Sequence, residues 1–429
     1  MNMCYTSRAI RKEGIMKFSE LKLLDPIIKA IDKLGYTEVT PIQGLAIPHI
    51  LDGKDLIGLA QTGTGKTAAF ALPIINQLLK ENNQDKKIKA LIVSPTRELA
   101  IQIRDNILEY SLGTNLKCGV VLGGVNQNSQ KNVLKKGVDI LVATPGRLVD
   151  LINQRCADIS NVKVLVLDEA DTMLDMGFIK DIKFIISKTN NNRQTLLFSA
   201  TVPNEVKELA KQFMKDPITI KTQTEEVTAN NIEQELYYVD STNKVNLLLE
   251  ICSTKEKPSI LIFTRTKHGA NKLADKLAEF NLTSSVIHGN KTQSNRVRAL
   301  TDFKTGKTRI MIATDIAARG IDINDLGIVI NYEIPEKAEI YVHRIGRTAR
   351  AGKNGKAISL CSSAEVNNFR AIEKLIKHQI KVIDHKYPMV LKEVKPPQNN
   401  RFSNQKKPSN FSNQKRSSNF RHQKKRPTR

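Results

Sequence analysis

The fold of this chain is decided by the stretch Ala60-Gln61-Thr62-Gly63-Thr64-Gly65-Lys66-Thr67. It follows the apolar run Leu56–Leu59, which predicts a strand, and it leads into a helical pattern that begins at Ala68. A glycine-rich turn between a strand and a helix suits a phosphate-binding loop, because backbone N–H groups can surround phosphate oxygens there. Lys66 adds a positive charge, and the Thr67 hydroxyl can hold Mg²⁺. The strict pattern begins with glycine, so Ala60 is a mild departure from it.

A second cluster, Asp168-Glu169-Ala170-Asp171, ends another apolar run, Val162–Leu167. The Asp168 carboxylate at the end of a strand can hold the Mg²⁺ of a bound nucleotide, and Glu169 can orient the attacking water. A glycine-rich turn alone can arise by chance, but its pairing with a strand-end acidic cluster argues against that alternative. The two motifs together predict binding and hydrolysis of a nucleoside triphosphate.

The composition indicates the kind of partner. The 429 residues carry a formal net charge of +24 and give an isoelectric point of about 9.7. This excess favours nucleic acid as the partner, with a membrane surface as the alternative. No run of 18 apolar residues occurs, which excludes a transmembrane helix from the prediction. The cysteines are scattered and odd in number, so they predict neither a zinc site nor disulfides and favour a reducing, cytoplasmic compartment. They are Cys4, Cys118, Cys156, Cys252 and Cys361.

Short apolar runs alternate with helical patterns, which predicts an α/β fold with parallel sheets. The runs form two groups, so we predict tandem domains at residues 16–220 and 232–387, joined by a polar linker at 221–231. The first group is Leu56–Leu59, Ala90–Val93, Val138–Val142, Val162–Leu167 and Thr195–Phe198, and the second is Ile260–Phe263, Ser285–Ile287, Arg309–Ala313, Ile328–Ile330 and Ala357–Leu360. We interpret residues 1–15 as a disordered extension before an alternative start at Met16, with an organellar transit peptide as the alternative.

The last segment, residues 388–429, has the composition of a disordered tail. From Lys392 to Arg429 it contains twelve Lys and Arg against one acidic residue, a net charge of +11. Phe402, Phe411 and Phe420 recur with a nine-residue period. Cations interleaved with aromatic rings suit single-stranded nucleic acid, because phosphates are neutralised and bases can stack. The alternative is a tail that only improves solubility.

Further polar clusters follow the predicted strands one after another. They are Pro95–Ala100, Thr144–Leu148, Ser199–Thr201, Thr264–Thr266 and Thr314–Asp322, and a later helical segment carries His343–Arg350. With these motifs in this order, the chain resembles a DEAD-box RNA helicase, an ATP-dependent enzyme with two RecA-like domains. The match covers residues 18–360. The sequence of Leu261–Lys267, together with the basic tail, resembles that of the bacterial RhlE-like branch.

The resemblance implies sites for ATP and Mg²⁺. Gln43 is expected to read adenine through its amide, which offers a donor and an acceptor, and Phe18 to stack on the base; the alternative for Gln43 is a helix cap. The implied ATP-binding residues are Phe18, Gln43, Ala60, Gln61, Thr62, Gly63, Thr64, Gly65, Lys66, Thr67 and Asp322. The implied catalytic residues are Lys66, Asp168, Glu169, Arg347 and Arg350, the two arginines reaching the γ-phosphate from the second domain. Thr67 and Asp168 are implied to hold Mg²⁺, Asp168 through water. Ala349 stands where the family usually has glycine, beside Arg350.

The resemblance also implies recognition of the RNA backbone. The implied RNA-binding residues are Arg97, Gly124, Thr144 and Arg147 in the first domain and Arg265, Gly289, Gln293, Arg296 and Thr314 in the second. Asp171, Ser199, Thr201 and His343 are expected to couple the two domains.

The resemblance therefore predicts a monomeric ATP-dependent RNA helicase that separates short duplexes or remodels ribonucleoproteins. Its expected partners are single-stranded RNA and short duplexes, with weak sequence preference, and ribonucleoprotein or degradosome-type proteins. The alternatives are an ATP-gated RNA clamp with little unwinding and a DNA helicase.

Overall fold

The computed structural model describes residues 4–6, 16–61, 63–81, 85–222, 232–253, 258–318, 326–348 and 355–389. The chain divides into a unit at Met1–Met389, which contains two sheets, and Val390–Arg429. The predicted tail lies outside the described residues except for Pro388 and Met389. Those two belong to the second domain, because Pro388 pairs with Val239 and the Met389 N–H donates to the Tyr238 carbonyl at 3.1 Å.

In the described part of the chain the first sheet has eight strands, and every pairing between them is parallel. The strands are β1 Cys4–Thr6, β2 Leu56–Leu59, β3 Ala90–Val93, β4 Cys118–Val121, β5 Ile140–Ala143, β6 Val164–Leu167, β7 Gln194–Ser199 and β8 Ile218–Lys221. Their spatial order is β1-β8-β2-β7-β6-β3-β5-β4. The helices are α1 Asp25–Lys33, α2 Pro41–Leu51, α3 Lys66–Glu81, α4 Arg97–Tyr110, α5 Gln127–Lys136, α6 Pro145–Asn153, α7 Ala170–Asp175, α8 Ile179–Lys188 and α9 Asn204–Phe213.

The second sheet has seven strands among the described residues, again paired in parallel. The strands are β9 Ile232–Tyr238, β10 Ile260–Thr264, β11 Ser284–Ile287, β12 Ile310–Thr314, β13 Ile328–Asn331, β14 Gly355–Cys361 and β15 Lys381–Val382, in the order β11-β12-β10-β13-β14-β9-β15. The helices are α10 Lys244–Cys252, α11 Lys267–Glu279, α12 Gln293–Lys304, α13 Asp315–Ala318, α14 Ala338–Ile345 and α15 Val366–Ile376.

The cores lie on both faces of the sheets. In β3, Ile92 packs into one buried cluster, and Leu91 and Val93 pack into another. Both faces of the strand are therefore covered, which is why its sequence is a continuous apolar run rather than an alternation. This confirms the predicted α/β class.

Several helices that begin near the carboxyl ends of strands start at a threonine cap. The Thr96 Oγ1 accepts from the Leu99 N–H at 3.3 Å at the start of α4, and Thr266 and Thr292 do the same for α11 and α12. A hydroxyl at this position satisfies a backbone donor that the helix leaves unpaired. The first residues of these helices are thereby fixed beside the carboxyl ends of the strands, where ligands bind in open parallel sheets.

Two expected boundaries need correction. Cys4–Thr6, predicted within a disordered extension, form a strand against Thr219–Lys221, because the edge of β8 offers unpaired backbone groups. Lys221, assigned to the linker, is the last residue of β8, and the adjoining Thr222 N–H donates to the Leu59 carbonyl at 3.2 Å. Residues 223–231 lie outside the described part of the chain.

Candidate active site

A cleft of about 530 Å³ lies at the carboxyl ends of β2 and β6. Its walls come from the loop before α3, the acidic cluster after β6, the segment before α2, one side of α4, and the second domain. The lining residues are Phe18, Gly35, Tyr36, Thr37, Glu38, Thr40, Gln43, Gly63, Gly65, Lys66, Thr67, Ala68, Leu99, Gln102, Asn106, Tyr110, Asp168, Glu169 and Arg347. The structure thus gathers most of the predicted ATP residues around one cleft.

The predicted phosphate-binding loop has a tight backbone. Gly65 has φ +91°, and a Cβ there would lie 2.5 Å from Gln43 Nε2, so only glycine fits this position. Gly63 also has positive φ, and the Thr64 hydroxyl donates to the Gln61 carbonyl at 2.8 Å. The Ala60 N–H donates to Ser199 O at 3.1 Å, which joins the loop to the end of β7. Thr62 lies outside the described residues.

Lys66 is the first residue of α3 and is only 6 % exposed. Its Nζ has no hydrogen-bond partner in the described part of the chain. A buried ammonium without a partner is costly unless an anion neutralises it. The position at a helix N-terminus, facing the cleft, suits the phosphates of a nucleotide.

Asp168 and Glu169 lie opposite Lys66 in the cleft and are almost completely buried. Burial raises the pKa of both carboxyl groups, and the Lys66 ammonium opposes that rise. Glu169 has φ +51°, a left-handed conformation that is unfavourable for a residue with a side chain, and its N–H donates to Asp168 Oδ1 at 3.0 Å. Backbone strain of this kind is concentrated at functional sites.

The structure brings together three residues that were predicted to couple the domains. Asp171 Oδ2 accepts from the Thr201 N–H at 2.8 Å and from the Thr201 hydroxyl at 2.9 Å. The Asp171 N–H donates to Ser199 Oγ at 3.3 Å, and the Ser199 hydroxyl donates to the Thr201 carbonyl at 2.6 Å. The acidic cluster after β6 is thus bonded directly to the segment after β7.

Gln43 is 3 % exposed, and both ends of its amide have protein partners. Oε1 accepts from the Thr40 N–H at 2.9 Å, and Nε2 donates to the Gly65 carbonyl at 3.2 Å. The first bond is the helix cap that the sequence offered as an alternative, and the second joins α2 to the phosphate-binding loop. Reading of adenine by Gln43 stays a prediction. Phe18 is buried in the same wall, with its ring centroid 6.2 Å from that of Tyr36.

The second domain contributes Arg347 to the same cleft as Lys66 and Glu169. His343 and Arg347 also line a small neighbouring cavity, with Asp315. Arg350 and Asp322, predicted to reach the nucleotide from this domain, lie outside the described residues, as does Ala349.

The four RNA residues predicted in the first domain surround one loop. The Arg97 guanidinium packs so closely on Gly124 (φ +69°) that a Cβ there would lie 2.3 Å from Nη1. Thr144 Oγ1 accepts from the Gly123 N–H at 3.3 Å, and Arg147 donates to the Val125 carbonyl at 3.4 Å. Burial and then the nearby Arg296 lower the pKa of Arg97, as expected where cations converge.

Two RNA residues predicted in the second domain are bonded instead to the first. Arg296 Nε and Nη2 donate to the two carboxylate oxygens of Glu98 at 2.7 and 2.6 Å, and Gln293 Nε2 donates to Glu98 Oε1 at 3.1 Å. Arg296 is 7 % exposed, so its guanidinium connects the domains in this structure rather than facing solvent. The physical reason is charge pairing: a buried carboxylate and a planar guanidinium satisfy each other bidentately.

Of the other three residues predicted to bind RNA, Gly289 directly follows His288, whose carbonyl accepts from Arg296 Nη1 at 3.3 Å. Arg265 is 41 % exposed beside Glu365. Thr314 ends β12 and is 8 % exposed, and a Cβ on Gly289 would meet nothing within 4 Å.

The chain matches the DEAD/DEAH box helicase domain over residues 40–209 and the helicase conserved C-terminal domain over residues 243–352. An ATP-dependent RNA helicase CshA from Limosilactobacillus reuteri is 44 % identical over 364 residues, which are 84 % of this chain and 72 % of that protein. The chain belongs to the DEAD/DEAH box helicases. The predicted family is therefore confirmed.

A further relative and a solved structure support the same family assignment. The ATP-dependent RNA helicase RhlB from a Shewanella species (strain MR-4) is 40 % identical over 387 residues, covering 89 % of this chain and 88 % of its own. The solved structure of S. cerevisiae Dbp5 bound to RNA and ADP BeF3 has a TM-score of 0.76 and 31 % identity, covering 86 % of this chain and 95 % of that one. The two tandem RecA-like domains are thus confirmed, whereas the RhlE-like branch stays a prediction. None of the described helices has the length and hydropathy needed to span a membrane.

Three buried charged residues of this helicase are not evident from its sequence. Glu98 and Arg344 lie inside quoted motifs, and Glu365 lies in none. Arg344 donates to both carboxylate oxygens of Asp315 at 2.6 and 2.9 Å and lies over the Phe263 ring, 4.9 Å from its centroid. Their only signal in the sequence was a charge beside an apolar run, which is also the pattern of a solvated helix face.

Proposed function

We propose that this protein is an ATP-dependent RNA helicase that couples ATP hydrolysis to local strand separation or remodelling of ribonucleoproteins. The observation that supports it most is the composition of the cleft. Lys66 and Glu169 of the first domain and Arg347 of the second line one space, so the site is complete only when both domains contribute.

ATP would bind with its phosphates at the N-terminus of α3, against the unpaired Lys66 ammonium. Glu169 would accept a proton from the attacking water, and its buried, raised-pKa carboxylate suits that role because a stronger base forms in a poorly solvated site. Arg347 would stabilise the charge that develops on the γ-phosphate, an effect worth about 10³–10⁵ in rate in comparable enzymes.

A divalent cation is implied by this chemistry, and the residues present suit Mg²⁺. Thr67 offers a hydroxyl in the cleft, and Asp168 a buried carboxylate. Among the described residues, no group of three or more His, Cys, Asp or Glu is arranged so that it could hold a metal ion by itself. Mg²⁺ usually keeps several waters and takes further ligands from substrate phosphates. When bound, Mg²⁺ would neutralise phosphate charge.

RNA would bind along the carboxyl edges of both sheets through its phosphates and ribose hydroxyls. Arg97, Gly124, Thr144 and Arg147 surround one loop of the first domain, and Arg265 is exposed in the second. Contacts of this kind recognise the backbone and not the base sequence, which gives weak sequence preference. The tail at 390–429 would add non-specific affinity, and we propose a cytoplasmic location and a monomer.

The experiment that tests this function is strand separation of a short fluorescent RNA duplex, measured beside ATP turnover in the same buffer. The helicase proposal expects both activities in the wild type and neither in Glu169→Gln. A protein that retains RNA when ATP is bound, turns ATP over and separates no strands would instead be the ATP-gated clamp.

A further inference from the structure

A buried polar network occupies the carboxyl edge of the second sheet, and Glu365 is its centre. Glu365 is 6 % exposed. Its Oε2 lies 2.6 Å from Lys244 Nζ and accepts from the Ser362 hydroxyl at 2.6 Å. Its Oε1 accepts from the Ile334 N–H at 3.0 Å and from Arg265 Nη2 at 3.4 Å. One carboxylate therefore joins four separate segments of the domain.

This carboxylate is a fixed negative charge. Burial alone would raise the pKa of Glu365, but the Lys244 ammonium and the Ser362 hydrogen bonds outweigh burial and hold the pKa below its usual range. Lys244 is itself 4 % exposed and also donates to the Tyr332 carbonyl at 2.7 Å. Both partners are thus held in place by further hydrogen bonds, as a stable buried pair requires.

Arg265 is held by this network on one edge only. Its Nη2 donates to the Ile334 carbonyl and to Glu365, both at 3.4 Å, and its backbone N–H donates to Glu333 Oε2 at 2.6 Å. Its Nε lies 4.0 Å from Glu336 Oε1, on the same edge of the guanidinium as Nη2, and the side chain is 41 % exposed. Within the described ranges no hydrogen bond is made by Nη1. The guanidinium is planar and rigid, so fixing one edge aims the other edge at solvent in a defined direction.

The same backbone segment also anchors α14. The Arg344 Nη1 donates to the Glu333 carbonyl at 2.7 Å and to Asn331 Oδ1 at 3.0 Å. Arg344 lies three residues before Arg347, which lines the ATP cleft. Segment 331–334 is therefore hydrogen-bonded both to Arg265 and to Arg344, which belongs to the helix that precedes Arg347.

We propose that Glu365 is a positioning residue for RNA binding, which holds the Arg265 guanidinium so that its free edge meets an RNA phosphate. The proposal rests on the proposed function, because it takes Arg265 as an RNA contact. Lys244 fixes the carboxylate, the carboxylate and the Ile334 carbonyl fix the guanidinium, and segment 331–334 ties this arrangement to the helix that precedes Arg347. A guanidinium with one edge already ordered loses less side-chain entropy when it binds phosphate.

The test compares RNA dependence in variants of the full chain. Glu365→Gln alone leaves the Lys244 ammonium buried and unpaired, so the informative variant is Lys244→Met with Glu365→Gln, which removes both charges. The matched control is Lys276→Met with Glu279→Gln, an exposed pair of the same domain at 2.8 Å. For each, the RNA concentration that gives half-maximal ATP turnover, the Kd of a non-hydrolysable ATP analogue and the thermal midpoint are measured, with and without Arg265→Ala.

In the buried-pair variant we expect the RNA concentration for half-maximal ATP turnover to rise at least tenfold, while the Kd of the ATP analogue stays within twofold of wild type. The control variant should change neither quantity. Arg265→Ala should raise the RNA concentration for half-maximal turnover tenfold or more in the wild type, but less than threefold in the buried-pair variant. The second effect is smaller because both changes remove the same interaction. The proposal is overturned if half-saturation stays within twofold in a folded buried-pair variant, or if the Arg265→Ala effect is the same in both backgrounds. Absence of RNA stimulation in the wild type would instead overturn the proposed function.

Discussion

The contact between Glu98 and Arg296 makes a sharp prediction about domain closure. The two side chains come from α4 and α12, they are 5 and 8 % exposed, and they form two parallel hydrogen bonds at 2.6–2.7 Å. When the domains separate, both charges return to water. The pair therefore stabilises the closed arrangement only, and Glu98→Gln removes its charge without changing its shape.

The size of the effect follows from burial. Removing one partner of a buried, hydrogen-bonded charge pair costs about 2–5 kcal/mol, much of it from the charge left unpaired. Glutamine keeps one acceptor oxygen for Arg296, so we expect about 2 kcal/mol, the lower end. At about 1.4 kcal/mol for each factor of ten, closure becomes about 30-fold less favourable. The proposed function requires RNA and ATP to bind the arrangement in which the two domains meet, so the RNA concentration for half-maximal turnover should rise by a similar factor.

The assay is ATP turnover against RNA concentration at saturating ATP. The matched control is Glu109→Gln, which removes an exposed carboxylate from the same helix. Arg296→Gln and the double variant complete a cycle, and the double variant should lose no more than either single one, because all three remove the same pair.

This reasoning would be refuted if the RNA concentration for half-maximal turnover in Glu98→Gln stayed within threefold of the wild-type value. If Arg296→Gln alone lowered RNA affinity, Arg296 would contact RNA directly, as the resemblance implied. Equal losses in Glu109→Gln would show that net charge and not the pair is responsible.

Three further outcomes are expected. Because burial raises the pKa of Glu169, its ionised form destabilises the folded protein at neutral pH, and this penalty vanishes below the ordinary glutamate pKa of about 4.3. Glu169→Gln without nucleotide should therefore raise the thermal midpoint at pH 7.5 and leave it unchanged at pH 4. Gly124→Ala should raise the RNA concentration for half-maximal turnover about tenfold, because its Cβ would strain the backbone and displace Arg97. In the control Gly123→Ala the new Cβ would lie 3.9 Å from that guanidinium, and the same titration should change less than twofold. Removal of residues 392–429 should weaken RNA binding and flatten its dependence on salt, measured by anisotropy from 50 to 300 mM salt, by about one unit of slope for each phosphate that the tail neutralises; an unchanged slope would count against an RNA-binding tail.

Much of the fold could be predicted because buried parallel strands leave a simple signal. All ten predicted apolar runs lie on strands of the structure, within two residues at their ends. The strands that were missed carry polar residues or lie at edges. β9, Ile232–Tyr238, was missed because Glu233 and Glu235 interrupt its apolar pattern, and their charges meet Lys356 on the neighbouring strand.

Site residues could be predicted where a short motif by itself fixes the position of its side chains, as it does for Lys66, Asp168 and Glu169. Contacts between motifs were not. The bonds of Gln43 to Gly65, and of Arg296 to Glu98, join residues far apart in the chain, and no local pattern encodes which surfaces meet. Glu365 shows the same limit: its role depends on four segments that converge only in the folded domain.

The measurement that tests the central claim most directly is ATP turnover by the purified protein alone, with single-stranded RNA and with single-stranded DNA, using Glu169→Gln as the blank. An RNA-coupled enzyme predicts low turnover alone, strong stimulation by RNA, little by DNA, and none in the variant. Equal stimulation by DNA would contradict the assignment to RNA. Turnover that no nucleic acid changes would contradict coupling between the ATP cleft and the nucleic-acid surface.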